Sequence, residues 1–288
     1  MARDKLTVLH ISDLQCGKPF VPRAAEALLR LASRVRPDVI VVAGDLTQRA
    51  KAREFQMALK VLEELPDVPI ITTPGNHDVP LYRVWERIFT PFRNWHRFVS
   101  PDLDTVTRLD GATFVALSSA APRRAIVNGR IDPAQLEFAC DVFERARTGD
   151  LRCLVIHHHL VPLPDREGGR PLPRSHRLLA TIEAAGVDVV LGGHVHRVHV
   201  TTSRDLLTER EGPGVPLVAC GTTTSRRGRG PEAGWNSLNV VTLSGSTVEV
   251  TPYHLEPGAT AFEKRSTMSF PRPRVAEATA VTMGGEAE

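Results

Sequence analysis

The chain has 288 residues, 42% hydrophobic and 24% charged, which is enough for one large α/β domain or two small ones with a buried core and excludes a disordered composition. A formal net charge of +3 is too slight to argue for a nucleic acid partner, and no apolar run approaches the roughly 20 residues that span a bilayer. Cys16, Cys140, Cys153 and Cys220 are dispersed with no Cys-x-x-Cys pair, so buried free thiols are expected rather than a disulfide framework.

Leu6–Ile11 reads as a strand, entered with no longer apolar leader, and a cytoplasmic protein is the expectation. Ala25, Leu28, Leu29, Ala32 and Val35 recur at helical spacing, and Pro37 closes that helix. Val39–Ala43 is a continuous apolar run, suited to a strand covered on both faces. Phe55, Ala58, Leu59 and Leu62 mark a second helix, stopped by Pro66, and Pro69–Thr73 is a third strand. This β-α-β-α-β order predicts a parallel sheet with right-handed crossovers.

Residues 80 to 98 are helical in pattern, aromatic and interrupted by Pro91, as for an insertion in which Trp85 and Trp95 pack. Two strands around Asp110-Gly111 read as a hairpin. Asp132, Pro133 and Gln135 supply an N-cap, a proline at the first helical position and a capping-box partner for a helix to about Arg147. Leu151–Ile156 is a strand ending in three histidines, and a helix to Ala185, with Gly186 as its cap, precedes the buried strand Val187–Leu191. In the last third, Val198–Thr202, Leu217–Cys220, Ser237–Leu243 and Thr247–Thr251 read as short strands of an antiparallel sheet. From Glu256 onward Pro, Ala, Gly, Thr and Glu dominate, so a domain over 1–255 and a flexible tail over 256–288 are expected.

Five polar motifs follow apolar strands: His10-Ile11-Ser12-Asp13-Leu14-Gln15, Gly44-Asp45, Gly75-Asn76-His77-Asp78, His157-His158-His159 and Gly192-Gly193-His194-Val195-His196. In a mainly parallel sheet the C-terminal strand ends share one side, where ligands bind. A Gly-Asp after a strand is by itself usually a turn. Three histidines closing an apolar strand, however, are costly to bury without partners, and His194-x-His196 places two imidazoles on one side of an extended segment, a geometry suited to metals.

From Leu6 to about Tyr253, this ordered set resembles the signature of the calcineurin-like metallophosphoesterases, whose pattern is Asp-x-His, Gly-Asp, Gly-Asn-His-Asp, His and Gly-His-x-His. The resemblance implies an α/β fold, a four-layer α/β/β/α sandwich, with a dinuclear metal site at strand C-terminal ends. By position it implies that Asp13 and His196 bind a first divalent metal, that Asp45 bridges both, and that Asn76, His157 and His194 complete the second. His157 is preferred to His158 because it directly follows the strand. His77 would contact the phosphoryl group and protonate the leaving oxygen with a pKa near ~6.5. Asp78 would orient His77. Two cations about 3.5–4 Å apart can hold a hydroxide and neutralise an attacked phosphate.

One position departs from the pattern: Asp13-Leu14-Gln15 stands where Asp-x-His is expected. A Gln15 carbonyl is a weaker, harder ligand than imidazole, which leaves open Mn²⁺, Fe²⁺/Fe³⁺, Zn²⁺ or Mg²⁺, and whether Gln15 coordinates at all. His10 lies within the strand and reads as structural. Residues 222 to 229, Thr-Thr-Thr-Ser-Arg-Arg-Gly-Arg, read either as a solvated basic turn or as a mobile loop beside the metals in which Arg226, Arg227 or Arg229 meets substrate phosphate, Arg226 and Arg227 first, alongside Asn76 and His77. Arg123, Arg124 and His176 are weaker candidates of that kind, and Asn128 and Gly129 shape a neighbouring loop.

The expected activity is metal-dependent hydrolysis of a phosphodiester or phosphomonoester of a small metabolite, a cyclic nucleotide first, since the chain resembles that branch of the superfamily. A lipid-sugar pyrophosphatase is the rival enzyme. The competing class is a non-catalytic interaction module with a degenerate metal site, which rests on Gln15 alone. Neither a membrane span nor a nucleic acid partner is expected, and self-association is left open.

Overall fold

The apolar runs and their breakers set the elements of the computed structural model, which describes residues 5–123, 128–165 and 169–273. The N-terminal unit is β1 (Lys5–Ile11), α1 (Pro22–Val35), β2 (Val39–Val42), α2 (Ala52–Glu63) and β3 (Ile70–Thr72). Pro22 takes the first helical turn, where its missing N–H costs nothing, and Arg36 closes α1 in the left-handed conformation. Pro91 separates α3 (Val84–Phe89) from α4 (Arg93–Phe98). β4 (Thr105–Leu109) and β5 (Ala112–Leu117) pair across a turn in which Gly111 has φ +79°.

α5 (Pro133–Glu144) starts where the Gln135 side chain accepts from the Asp132 N–H at 2.9 Å. β6 (Leu151–Ile156), α6 (Ser175–Ala184), β7 (Val189–Gly192), β8 (His199–Thr202) and β9 (Pro216–Ala219) follow. The chain then forms β10 (Asn236–Ser244), β11 (Thr247–Leu255), β12 (Glu263–Lys264) and β13 (Met268–Pro271).

Two mixed sheets result. One runs β12-β11-β10-β1-β2-β3, with β13 also on β11; the other runs β4-β5-β6-β7-β9-β8. The expected single antiparallel sheet in the last third is corrected here. β9 joins β7 in parallel with β8 on its far side, whereas β10 and β11 cross over to extend the first sheet beside β1. Turn residues mark where strands end but not which edge they join. Val241, Leu243, Val248 and Val250 are fully buried between the sheets, and that burial selects the edge.

The alternation of each strand builds three cores and so four layers. Leu9, Ile11, Ile40 and Val42 face α1 and α2; Val8, Val39 and Val41 meet Phe114, Ala116 and Val155 of the other sheet; Val115, Leu117, Leu154 and Ile156 face α5 and α6. Trp95, 1% exposed, stands edge-on to Phe55, as packing of the insertion required. Trp85 is 75% exposed, so that expectation fails for it: α3 buries none of its own residues.

The expected boundary at residue 255 is also corrected. Phe262 is buried, β13 pairs with β11 along Thr247–Val250, and Arg272 is buried against Asp188. Composition hid this because alternate side chains of an edge strand are polar. Residues 274–288, the rest of the expected tail, lie outside the described residues.

Arg272 forks onto both Asp188 oxygens at 3.1 Å and donates to the carbonyls of Gly245 and Asp150, one next to each sheet. Arg272→Ala removes this bidentate partner from the fully buried Asp188 carboxylate and is expected to cost about 3–5 kcal/mol, read as a lower urea midpoint. His10 is fully buried, and burial lowers its pKa to about 3. Below about pH 6.5 the unfolded chain binds a proton that folded His10 refuses, so stability falls as pH falls toward 3. His10→Gln should flatten that slope by up to about 1.4 kcal/mol per pH unit in acid-titrated urea melts.

Candidate metal centre

β1, β2, β3, β6 and β7 end on the same side, and each ends at one of the five motifs. The backbone there is unusual. Eight described non-glycine residues have positive φ, and five of them are Asp13, Gln15, Asp45, His194 and His196. Each such position costs about 1–2 kcal/mol for an L-residue, so their concentration marks a site that the surrounding fold enforces. Two glycines make room: a Cβ on Gly75 would lie 2.1 Å from Asp45 Oδ1, and one on Gly193 1.9 Å from Ser12 Oγ.

Asp13, Asp45 and His196 offer ligand atoms that all lie within 4.8 Å of one another, and all three are buried. Asp13 Oδ2 accepts from Ser12 Oγ at 2.7 Å and from the His194 N–H at 3.0 Å. Asp13 Oδ1 has no donor directed at it, although His196 Nε2 is 3.1 Å away. Burial alone would raise the Asp13 pKa, but His196 holds it below the usual carboxylate range. Asp45 Oδ1 accepts the His77 backbone N–H at 2.8 Å.

The backbone sets the imidazole tautomers. His196 Nδ1 lies 2.9 Å from the Arg227 carbonyl and His157 Nδ1 2.7 Å from the Ala43 carbonyl, so each of these nitrogens carries the hydrogen. Nε2 is then the nitrogen each ring turns inward: His196 toward Asp13, His157 toward Asn76 Oδ1 at 3.2 Å and Asp45 Oδ1 at 3.5 Å. His194 Nδ1 reaches the same Asn76 oxygen at 3.0 Å. Buried lone pairs facing carboxylate and amide oxygens repel unless a proton or a cation lies between them. Burial pulls His157 down, yet Asp45 and Asp13 outweigh it and raise its pKa. His194 is held well below its ordinary value by burial and by His158 and His157. This donor set, with Asp13 Oδ1 orphaned, fits divalent cations.

Of the neighbouring histidines, His158 turns Nδ1 to Ser119 Oγ at 2.7 Å, and His159 stacks on His194. A Cβ on Gly129 would meet the His158 ring. Gln15 Nε2 faces Asp45 Oδ2 at 3.2 Å and His196 Nε2 at 3.3 Å, while Gln15 Oε1 accepts from Arg227 at 3.1 Å. Arg227 can only donate, so it turns the Gln15 carbonyl away from the cluster. Coordination by Gln15 requires a half-turn of the amide that gives up this bond.

Arg227 also donates to His77 Nε2 at 3.0 Å. His77 Nδ1 carries its hydrogen toward the Gln48 carbonyl at 2.9 Å. Two expectations are corrected here. Burial lowers the His77 pKa below the ordinary imidazole value, against the pull of Asp45 and the Gln48 carbonyl. Asp78 does not orient His77. Its carboxylate, pushed up to about 7 by burial and Asp45, accepts from the backbone N–H groups of Leu46, Thr47 and Gly75 and ties the second motif to the third. Gln48 does the orienting, through a backbone carbonyl that no side-chain motif signals.

The expected mobile loop is likewise different. Thr222–Ser225 is fully buried, with Thr222 and Thr224 hydroxyls donating to the Asp13 and Leu14 carbonyls. Only its arginine end is open: Arg227 enters the site, whereas Arg226 is exposed and donates its backbone N–H to the Pro19 carbonyl. Arg123 lines a separate cavity of about 550 Å³, Asn128 is exposed, and His176 is exposed beside Glu209; Arg124 lies outside the described residues.

Residues 6–198 match the family model for calcineurin-like phosphoesterases. The chain belongs to that family. The family is hydrolytic and uses divalent metals. Among curated relatives, a DNA double-strand break repair protein Mre11 of Aeropyrum pernix is 30% identical over 89 residues, 26% of this chain and 22% of that one. A probable cyclic nucleotide phosphodiesterase of Rhodococcus erythropolis is 26% identical over 208 residues, 67% of this chain and 66% of that one. The matches thus span less than two thirds of either relative. A dimetal phosphatase from Danio rerio shares the fold with a TM-score of 0.62 at 13% identity, covering 93% of this chain and 99% of that one. The purple acid phosphatase PPD1 of yellow lupin (Lupinus luteus) does so with a TM-score of 0.66 at 13% identity, covering 92% and 53%.

Gly75→Ala forces a methyl group onto the Asp45 carboxylate. Bound metal, read by elemental analysis of protein purified without chelators, should fall at least several-fold while the circular dichroism spectrum is retained.

Proposed function

We propose that this chain is a phosphodiesterase acting on small phosphorylated metabolites, with two divalent cations held by Asp13, Asp45, Asn76, His157, His194 and His196. The observation that carries this reading is the buried convergence of carboxylate oxygens and imidazole lone pairs around Asp13 Oδ1, with Arg227 and His77 beside it. Bound cations at such a centre supply charge neutralisation on the attacked phosphate. Oxygen and imidazole donors of this kind suit Mn²⁺, iron or Zn²⁺.

The side chains divide the remaining work. Asn76 turns its carbonyl oxygen toward the two imidazoles, which leaves its amide hydrogens for a substrate oxygen. Arg227 has further guanidinium donors for phosphate beyond those on Gln15 and His77. His77 is fixed at Nδ1 by Gln48, so Nε2 is the nitrogen left to hold a proton for the leaving oxygen once Arg227 turns from it to the phosphate. A phosphate anion beside Nε2 favours the protonated ring and offsets the effect of burial. Cyclic nucleotides are the favoured substrate because the Rhodococcus erythropolis relative is named for them. A cytoplasmic setting is part of the same reading and is supported by four free cysteines.

Mn²⁺-dependent hydrolysis of bis-p-nitrophenyl phosphate, a cyclic nucleotide, p-nitrophenyl phosphate and a pyrophosphate diester tests the proposal. Diester hydrolysis is expected to exceed monoester hydrolysis. His77→Ala should lower kcat about 10²–10⁴-fold with metal content retained, whereas Asn76→Ala should lose both. No turnover with any divalent metal would leave the non-catalytic module standing.

A further inference from the structure

Among the described residues seven large apolar side chains are exposed, and five of them, Tyr82, Val84, Trp85, Ile88 and Phe89, fall within eight consecutive positions. Trp85 and Phe89, one helical turn apart, stack on each other with centroids 5.9 Å apart and are 75% and 70% exposed. Side chains of this size expose enough area between them to reach the range of functional surface patches. The segment is nevertheless held in place. Arg83 donates to the Arg49 and Ala50 carbonyls and pairs with Glu86, Arg87 donates to the Pro80 carbonyl, and the Arg49 guanidinium lies 4.9 Å over the Tyr82 ring. Among the residues that brace the knob are Arg49, Arg83 and Arg87 and one glutamate, Glu86, which pairs with Arg83, so the rim is net positive.

We propose that this segment docks the protein on an anionic lipid surface, with Trp85 and Phe89 entering the headgroup–acyl boundary and the arginines meeting lipid phosphates. Tryptophan and tyrosine favour that depth, and cationic rims around apolar residues strengthen binding to anionic lipids. A second copy of the chain fits less well, because a twofold contact through the knob would bring the same arginines together. Single-stranded nucleic acid calls for separated rings along a groove, whereas here the two largest rings cover each other on a convex helix. The stretch from Gln48 to Ala50 that anchors Arg83 also carries the carbonyl that fixes His77. Docking would thus hold the segment that orients His77 next to the lipid surface. The inference does not rest on the proposed phosphodiesterase activity.

The full chain, incubated with vesicles of phosphatidylcholine alone or mixed with phosphatidylglycerol, provides the test. Co-sedimentation is expected with the anionic mixture, weakening as salt rises, together with a blue shift of tryptophan emission. The double variant Trp85→Ser, Phe89→Ser should lose about tenfold or more in partitioning, at an unchanged melting temperature because both side chains are exposed. Trp85→Phe should retain sedimentation while losing the blue shift, since Trp95 is buried and Trp235 packs against His254 and Arg265 away from the knob. Absence of vesicle binding, or equal binding by the double variant, would overturn the proposal. So would a vesicle-free dimer that the double variant dissolves, or binding of a single-stranded oligonucleotide in preference to the vesicles.

Discussion

Buried oxygens and imidazole nitrogens that point lone pairs at one another are the constraint around which this protein is organised. Asp13 Oδ1 and His196 Nε2 lie 3.1 Å apart, with no donor directed at the carboxylate oxygen. Such an arrangement is unfavourable in a dry interior unless positive charge enters it. The fold nonetheless enforces it. Backbone carbonyls of Ala43 and Arg227 fix two ring tautomers, Ser12 and the His194 N–H occupy the second oxygen of Asp13, and five residues adopt left-handed backbone to present their groups.

That strain is offset by bonds that run between distant segments. The N–H groups of Asp13 and Gln15 donate to the Gly44 and Asp45 carbonyls, so the first two motifs form one backbone unit. Asp78 ties the third motif to the second, and Thr222 and Thr224 tie the buried 222–225 stretch to the first. Arg227 stands at the end of this chain of contacts. Its carbonyl orients His196, while its guanidinium turns Gln15 and meets His77. One residue thus couples a predicted ligand, the residue that departs from the family pattern and the proposed acid. A purely electrostatic role for a basic loop would not need the four buried hydroxyl residues that precede it.

Most of the layered fold was legible because strands covered on both faces read as continuous apolar runs and helices as 3.6-residue stripes. Val39–Val42 and Val189–Gly192 show this clearly. The edge strands did not. β12 and β13 are short, β12 exposed at both residues and β13 at alternate ones, so their composition resembles that of a tail, and only pairing with β11 makes them strands. Trp85 illustrates the converse: an aromatic residue in a helical pattern is read as core, yet whether anything packs over it depends on which way a six-residue helix faces.

The sequence by itself indicated which strand-end motifs meet, because side chains that directly follow parallel strands collect at the C-terminal ends of those strands. It also showed that Gln15 stands where the family has histidine. It could not determine which atom of each side chain faces inward. Only the tertiary structure decided that His157 rather than His158 turns toward Asp45 and Asn76, that Gln48 and not Asp78 orients His77, and that Arg227 rather than Arg226 enters the site. The physical reason is common to all three: these choices are made by backbone carbonyls and N–H groups, which every residue type carries and no motif records.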